Sequence, residues 1–238
     1  MDTEEINMLS GRYRAIRAEI DARARAVGRS PEEIKIIAVS KTHPAETIAA
    51  ALKANIPIFG ENYAQEFRDK NRELALLTGE VPRWHFIGHL QSNKVKYVAP
   101  FVEAIHTVDS IDIAREIDAQ ASKNGRTIDA LLQVNTSGEQ AKSGVAPQDS
   151  IALAEAVSGF KNIKLIGFMT IGSFSDDEET IRREFRTLKA ARDAAREGLG
   201  LELKELSMGM SHDYLIAVEE GATMVRIGTA IFGAREYK

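Results

Sequence analysis

Cysteine is absent from this 238-residue chain, and tryptophan occurs once. Without thiols there is no disulfide framework, no thiolate metal site and no cysteine nucleophile, so covalent chemistry falls to lysine, serine, threonine or a carboxylate. Long apolar runs are missing as well, and nothing approaches the roughly 18 residues of a membrane span. The opening residues Met1-Asp2-Thr3-Glu4-Glu5 are acidic where a secretory leader would be basic, so a cytoplasmic location and no membrane partner are expected. Basic charge is not in excess either: 31 Lys and Arg face 35 Asp and Glu, a net charge of −4. The Arg-rich stretch from Arg12 to Arg29 is interrupted by Glu19 and Asp21 and reads as a solvated helix face, which argues against nucleic acid as the partner. Neither an internal repeat nor a low-complexity linker divides the chain, so a single domain is expected.

What is present is a rhythm. Apolar residues at Ile6, Leu9, Tyr13, Ile16, Ile20, Ala24 and Val27 step by three and four, predicting an amphipathic helix over about 3–28 that Gly28 ends. Eight short apolar runs follow, predicted as strands at 35–40, 57–60, 84–88, 104–108, 129–135, 164–169, 204–207 and 224–227, each succeeded by a stretch with helical spacing. Strands alternating with helices imply parallel pairing, because a parallel neighbour needs a crossover. Eight units, and no G-x-G-x-x-G in the first, favour closure over an open doubly wound sheet. The expected fold is α/β: a single (β/α)8 TIM-type barrel over about 35–238 with an additional N-terminal helix.

Barrel sites lie at the C-terminal ends of the strands. Lys41 directly follows the first run. It is either a surface lysine opening a loop or an amine whose partly desolvated position favours attack on a carbonyl. After the seventh run, Ser207-Met208-Gly209-Met210-Ser211 offers two hydroxyls and a glycine, with Ser211 placed to cap the next helix. After the eighth, Gly228-Thr229-Ala230 is similar. Either loop alone is ordinary capping; together, opposite a lysine, they point to a phosphorylated carbonyl compound. Arg226 lies inside the eighth run, where a charge needs an acceptor: a barrel carboxylate such as Glu61, or a ligand. His85 and His89 lack the helical context of a metal motif, and His43, His106 and His212 stand isolated, so all five read as structural histidines with no metal.

These segments, Ala38-Val39-Ser40-Lys41-Thr42, Phe59-Gly60-Glu61-Asn62-Tyr63, Trp84 to Lys94, Lys142-Ser143-Gly144, Gly167 to Ile171, Leu206 to Ser211 and Val225 to Gly233, closely resemble the YggS/PROSC family of pyridoxal phosphate homeostasis proteins, in the family's order. The resemblance implies a fold-type III barrel like the alanine racemase N-terminal domain, with pyridoxal 5'-phosphate (PLP) held as a Schiff base on Lys41. It further implies a phosphate site at Ser207, Ser211, Gly228 and Thr229, with Met210 in the same loop at the cofactor. Asn62 would line the ring pocket and Arg226 would face the pyridine nitrogen.

An arginine there keeps the nitrogen unprotonated and the ring a weak electron sink. No second domain is expected after the eighth unit to supply an opposite acid or base, so the expected protein is a PLP carrier with little or no catalytic activity. It would act in vitamin B6 homeostasis, with PLP-dependent apoenzymes as recipients and a monomeric state. A fold-type III amino acid racemase or decarboxylase is the alternative, and an aldolase-like barrel using Lys41 on a sugar phosphate is a third. Lys94 and Lys142 are candidate secondary PLP sites whose simpler reading is surface charge.

Overall fold

The chain is described by a computed structural model over residues 3–233. Its strands are short and buried on both faces, as parallel strands between helices must be. In chain order the elements are α1 (Thr3–Ala26), β1 (Lys35–Val39), α2 (Ala45–Lys53), β2 (Ile58–Glu61), α3 (Ala64–Thr78), β3 (Arg83–Phe86), α4 (Val95–Val98), β4 (Ala104–Val108) and α5 (Ile111–Lys123). They continue with β5 (Ile128–Gln133), α6 (Ser150–Ser158), β6 (Ile163–Met169), α7 (Glu178–Leu199), β7 (Glu205–Ser207), α8 (Tyr214–Glu219), β8 (Met224–Ile227) and α9 (Thr229–Phe232). All neighbouring strands run parallel and β8 returns to β1, with Lys35 opposite Met224 and Ala38 opposite Ile227, so the barrel closes. The expected (β/α)8 barrel with an added N-terminal helix is what the chain forms. The predicted end at Lys238 lies outside the described residues.

Alternation along each strand separates two cores. One face, including Ile36, Ala38, Phe59, Trp84, Phe86, Leu132, Phe168 and Val225, packs with the surrounding helices. The other points into the barrel, where Ile37, Ile58 and Met224, with Ile166 against them, make a small apolar plug. Elsewhere, the buried polar residues His85, His106, Gln133, Ser207 and Arg226 occupy strand positions. Branched apolar residues usually dominate a barrel interior, so this polar set marks a departure from pure packing. Helix α1 buries Leu9, Ile16, Ile20 and Ala24, packs against α2, α8 and α9, and thereby covers the seam where last strand meets first. Behind it, Arg29 donates to the carbonyls of Val218 and Ala222 and fastens the end of α1 to α8 and its exit.

Between β5 and β6 the register shifts at Ala130 and Leu131. Nearby, Gly167 meets β7 so closely that a Cβ there would lie 1.9 Å from the Glu205 carbonyl oxygen. Backbone cannot yield as a flexible side chain can. Gly167→Ala is therefore expected to lower stability by about 3 kcal/mol, read as a reduced urea midpoint with unchanged slope.

Burial also holds the His85 imidazole down to about 3 and His106 well below the ordinary histidine value. The unfolded chain takes up protons near pH 6.5 that the folded chain refuses, so this contribution to stability is complete above that pH and is lost as pH falls toward 3. For His85 alone the loss by pH 5 is about 2 kcal/mol. Proton NMR of the folded protein is expected to show two histidine rings that do not titrate between pH 5 and 8.

Candidate functional site

The C-terminal ends of the strands surround a cavity of about 270 Å3 lined by Asn62, Thr107, Gln133, Asn135, Lys142 and Thr170, among others. Two buried acceptors, Asn62 Oδ1 and Gln133 Oε1, have no hydrogen-bond partner among the described residues. Buried polar atoms are normally satisfied, so such a pair at one cavity makes it the candidate site.

Lys41 sits half-buried in the turn that leaves β1. The turn closes through the His43 N–H donating to the Ser40 carbonyl at 3.1 Å, and Thr42 takes φ +70° at its third position. A β-branched residue in the left-handed region is strained by about 1–3 kcal/mol and needs outside support. That support comes from α3. The Thr42 N–H donates to Glu66 Oε1 at 2.6 Å. The buried Lys70 ammonium donates to the Ser40 carbonyl (2.9 Å), Glu61 Oε1 (2.6 Å) and Glu66 Oε1 (2.9 Å). Ser40 adds its own hydroxyl to Glu61 at 2.7 Å. Desolvation raises the pKa of Glu61, opposed by the Lys70 charge. Lys41 is thus carried on a turn fastened at both flanking residues.

Arg226 is buried in β8 and donates from Nη1 to Ser207 Oγ and from Nη2 to the Thr170 carbonyl, each at 2.8 Å. The carboxylate partner considered from the sequence, Glu61, belongs instead to Lys70, because Glu61 closes against the β1 exit. Burial lowers the Arg226 pKa to about 10, with the Asp213 charge opposing, so the guanidinium is cationic at neutral pH. Ser207 Oγ, expected at a phosphate, lies within the barrel between Arg226 and His106. His106 is correspondingly not isolated: its ring joins Ser207 on one side and His85 on the other.

The β7 exit differs from expectation in one cap. Helix α8 begins at Tyr214, so Ser211 lies in the preceding turn, and the buried Asp213 carboxylate accepts the Met210 N–H at 2.5 Å. Gly209 adopts φ +91°, and a Cβ there would come within 2.5 Å of the Ala217 side chain, which is why the loop folds only around glycine. At the β8 exit Gly228 lies against Val39 of β1 and Thr229 opens α9, exposed at the mouth. Lys41, Asn62, Met210, Ser211, Gly228 and Thr229 all follow strand ends at the same pole of the barrel.

Lys142 lines the cavity, donating to Glu139 Oε1 (2.6 Å) and the Gly172 carbonyl (2.8 Å), so surface charge does not describe it. Lys94 packs its ammonium 5.5 Å from the centre of the Tyr97 ring. Among the described residues, no group of three His, Asp or Glu side chains is placed to hold a metal. No described helix is long and apolar enough to cross a membrane.

Lys70 and Glu66 escaped the sequence reading, although a signal existed. Phe67, Lys70 and Leu74 are the buried positions of α3, so a lysine stands within the apolar stripe. Removing it leaves a buried carboxylate uncompensated. Lys70→Met is expected to cost about 3 kcal/mol or more and to raise amide exchange at residues 41–43. Adding Glu61→Met should return part of the stability but not the exchange protection of the turn.

A profile of the family described as "Alanine racemase, N-terminal domain" matches residues 12–236. The chain is 43% identical over 210 residues to the "Pyridoxal phosphate homeostasis protein" of Aquifex aeolicus (strain VF5), covering 88% of this chain and 91% of that one. Among solved structures it is similar to PipY of Synechococcus elongatus PCC7942 with PLP bound, at 33% identity and TM-score 0.83, covering 94% of this chain and all of that one. The alanine racemase of Clostridium difficile 630 shares the fold, with TM-score 0.75 at 16% identity, and this chain spans 58% of its length. A closed eight-stranded parallel barrel, a lysine on the first strand exit and this degree of identity together place the chain in the family of pyridoxal phosphate homeostasis proteins.

Proposed function

We propose that the barrel mouth binds PLP covalently but reversibly, with Lys41 Nζ as the amine, and that the protein stores and passes on the cofactor rather than turning over a substrate. The observation that carries this is the fastened turn at Lys41, set at the same pole as a buried, fixed guanidinium and two unsatisfied amide oxygens. When bound, PLP supplies an aldehyde that condenses with a primary amine and releases water. The residues fit that group. Lys41 presents its amine at a strand end. Ser211, Gly228 and Thr229, with Met210, form the phosphate cradle from the β7 and β8 exits, while Asn62 borders the ring. Arg226, fixed by donation to Ser207 Oγ and the Thr170 carbonyl, would face the pyridine nitrogen as a cation with no carboxylate hydrogen-bonded to it among the described residues, and its charge would hold that nitrogen unprotonated. Ser207 serves here by orienting Arg226 rather than by touching phosphate.

The lining of the mouth supports holding over turnover. Apart from the exposed His89 and the ion-paired Lys142, the polar side chains of the lining, among them Asn62, Thr107, Gln133, Asn135, Thr136 and Thr170, are amides and hydroxyls that donate and accept hydrogen bonds but do not exchange protons near neutral pH. Amino acid racemisation needs a proton donor and acceptor on opposite faces of the substrate carbon. Lys142, at the cavity wall, is engaged by Glu139 and Gly172. Recipients of the cofactor are PLP-dependent apoenzymes, and the protein works in the cytoplasm as a monomer.

Incubation with PLP followed by borohydride reduction and peptide mass spectrometry is expected to place a phosphopyridoxyl group on Lys41 and to lose it from that peptide in Lys41→Ala. Amino acid enantiomers incubated with the loaded protein should show no racemisation above the rate of free PLP. An unmodified Lys41 would remove the cofactor assignment, and enzyme-scale racemisation would replace the carrier with a racemase.

A further inference from the structure

The interior of the barrel contains a hydrogen-bonded line that the cofactor site does not itself account for. Arg226 Nη1 donates to Ser207 Oγ at 2.8 Å. Ser207 Oγ lies 2.9 Å from His106 Nδ1, and His106 Nε2 lies 2.8 Å from His85 Nδ1. All four side chains are buried, at most 4% exposed. They come from β8, β7, β4 and β3, so the line crosses the barrel interior rather than following the chain.

Its polarity follows from donor counting. Arginine donates and cannot accept, so Ser207 must receive at one lone pair. The serine has one proton to give, and among the described residues the only other hydroxyl contact is His106 Nδ1. If His106 donated there instead, the serine proton would be buried without a partner, which is unfavourable. Nδ1 of His106 is therefore the bare acceptor and its Nε2 carries the hydrogen, which passes to His85 Nδ1. His85 then bears its own hydrogen on Nε2, which has no partner among the described residues. His85 lines a polar cavity of about 160 Å3 at the opposite pole of the barrel, together with Glu103, Asp129 and Glu205. Each link donates in the same direction, the arrangement in which successive hydrogen bonds polarise one another.

We propose that Ser207, His106 and His85 are positioning residues that fix the Arg226 guanidinium against the ligand's ring nitrogen, each acting through the next. Packing alone would hold a guanidinium loosely within its plane. Two acceptors, Ser207 Oγ and the Thr170 carbonyl, define that plane, and His106, by taking the serine proton, fixes the hydroxyl rotor so that a lone pair stays turned toward Nη1. Neutral imidazoles are required throughout, and burial keeps both rings neutral. The cofactor role rests on the PLP reading above; the polarity of the line does not.

The test has two arms. Long-range proton–nitrogen NMR of the unmodified chain, labelled with 15N-histidine and free of PLP, is expected to show His85 and His106 both neutral with hydrogen on Nε2. Hydrogen on Nδ1 of His106 would overturn the line. In the second arm Ser207→Ala, His106→Leu and His106→Asn are loaded with PLP carrying 15N in its ring. The first two should shift the ring-nitrogen resonance and the visible band and release PLP about tenfold faster. His106→Asn, whose side-chain oxygen can take the serine proton, should restore the unmodified spectrum. If all three variants keep both the resonance and the release rate, the positioning role is wrong. If the leucine variant does not fold, the asparagine and alanine variants decide it. A chain that binds no PLP at Lys41 overturns the cofactor role while the histidine resonances still decide the line.

Discussion

The ladder between β8 and β1 is the constraint on which the molecule depends. It pairs strands from opposite ends of the chain, setting Arg226 level with Ile37 and laying Gly228 beside Val39. Parallel pairing puts every strand end at one pole, and only this closure makes the Lys41 turn and the β8 exit neighbours there. Closure also removes every strand edge, so no backbone row is left to pair with another chain. Helix α1 reinforces the join from outside by packing on both the first and the last helices of the ring.

A closed barrel gives its designer a fixed volume, and here that volume is divided. A small apolar plug of Ile37, Ile58, Met224 and Ile166 accompanies a set of buried polar groups in the interior. Burying a charge is unfavourable unless hydrogen bonds replace its water. Both buried cations near the mouth meet this condition in different ways. Lys70 is neutralised by two carboxylates and a carbonyl, and it holds the backbone of the turn. Arg226 receives two neutral oxygens and keeps its charge for what lies in front of it. One cation is spent on shape and the other on electrostatics.

The carrier proposed above draws on both cations. In that proposal, rigid positioning of an amine and a guanidinium gives a definite place for an aldehyde with a ring nitrogen, and a lining made mostly of amides and hydroxyls adds contacts. The barrel shared with alanine racemase at 16% identity is a likeness of fold, and function is argued from the groups placed at the mouth.

Much of this was legible along the chain. The eight strands declared themselves because strands buried on both faces read as continuous apolar runs, and Lys41, Asn62 and Gly228 could be singled out as candidates because barrel sites follow strand ends; the structure sets all three at one pole. Capping at Ser211 was misplaced, since Asp213 competes for the same loop and wins by accepting the Met210 N–H. His106 looked solitary and Arg226 looked in need of Glu61, because their partners arrive from strands far away in sequence. Local pattern determined the elements, their order and the residues at their ends, since those depend on periodicity and on neighbours a few positions apart. Which buried polar group meets which was decided only by closure of the barrel, because hydrogen bonds across its interior depend on strand register and stagger, and no run of sequence records these.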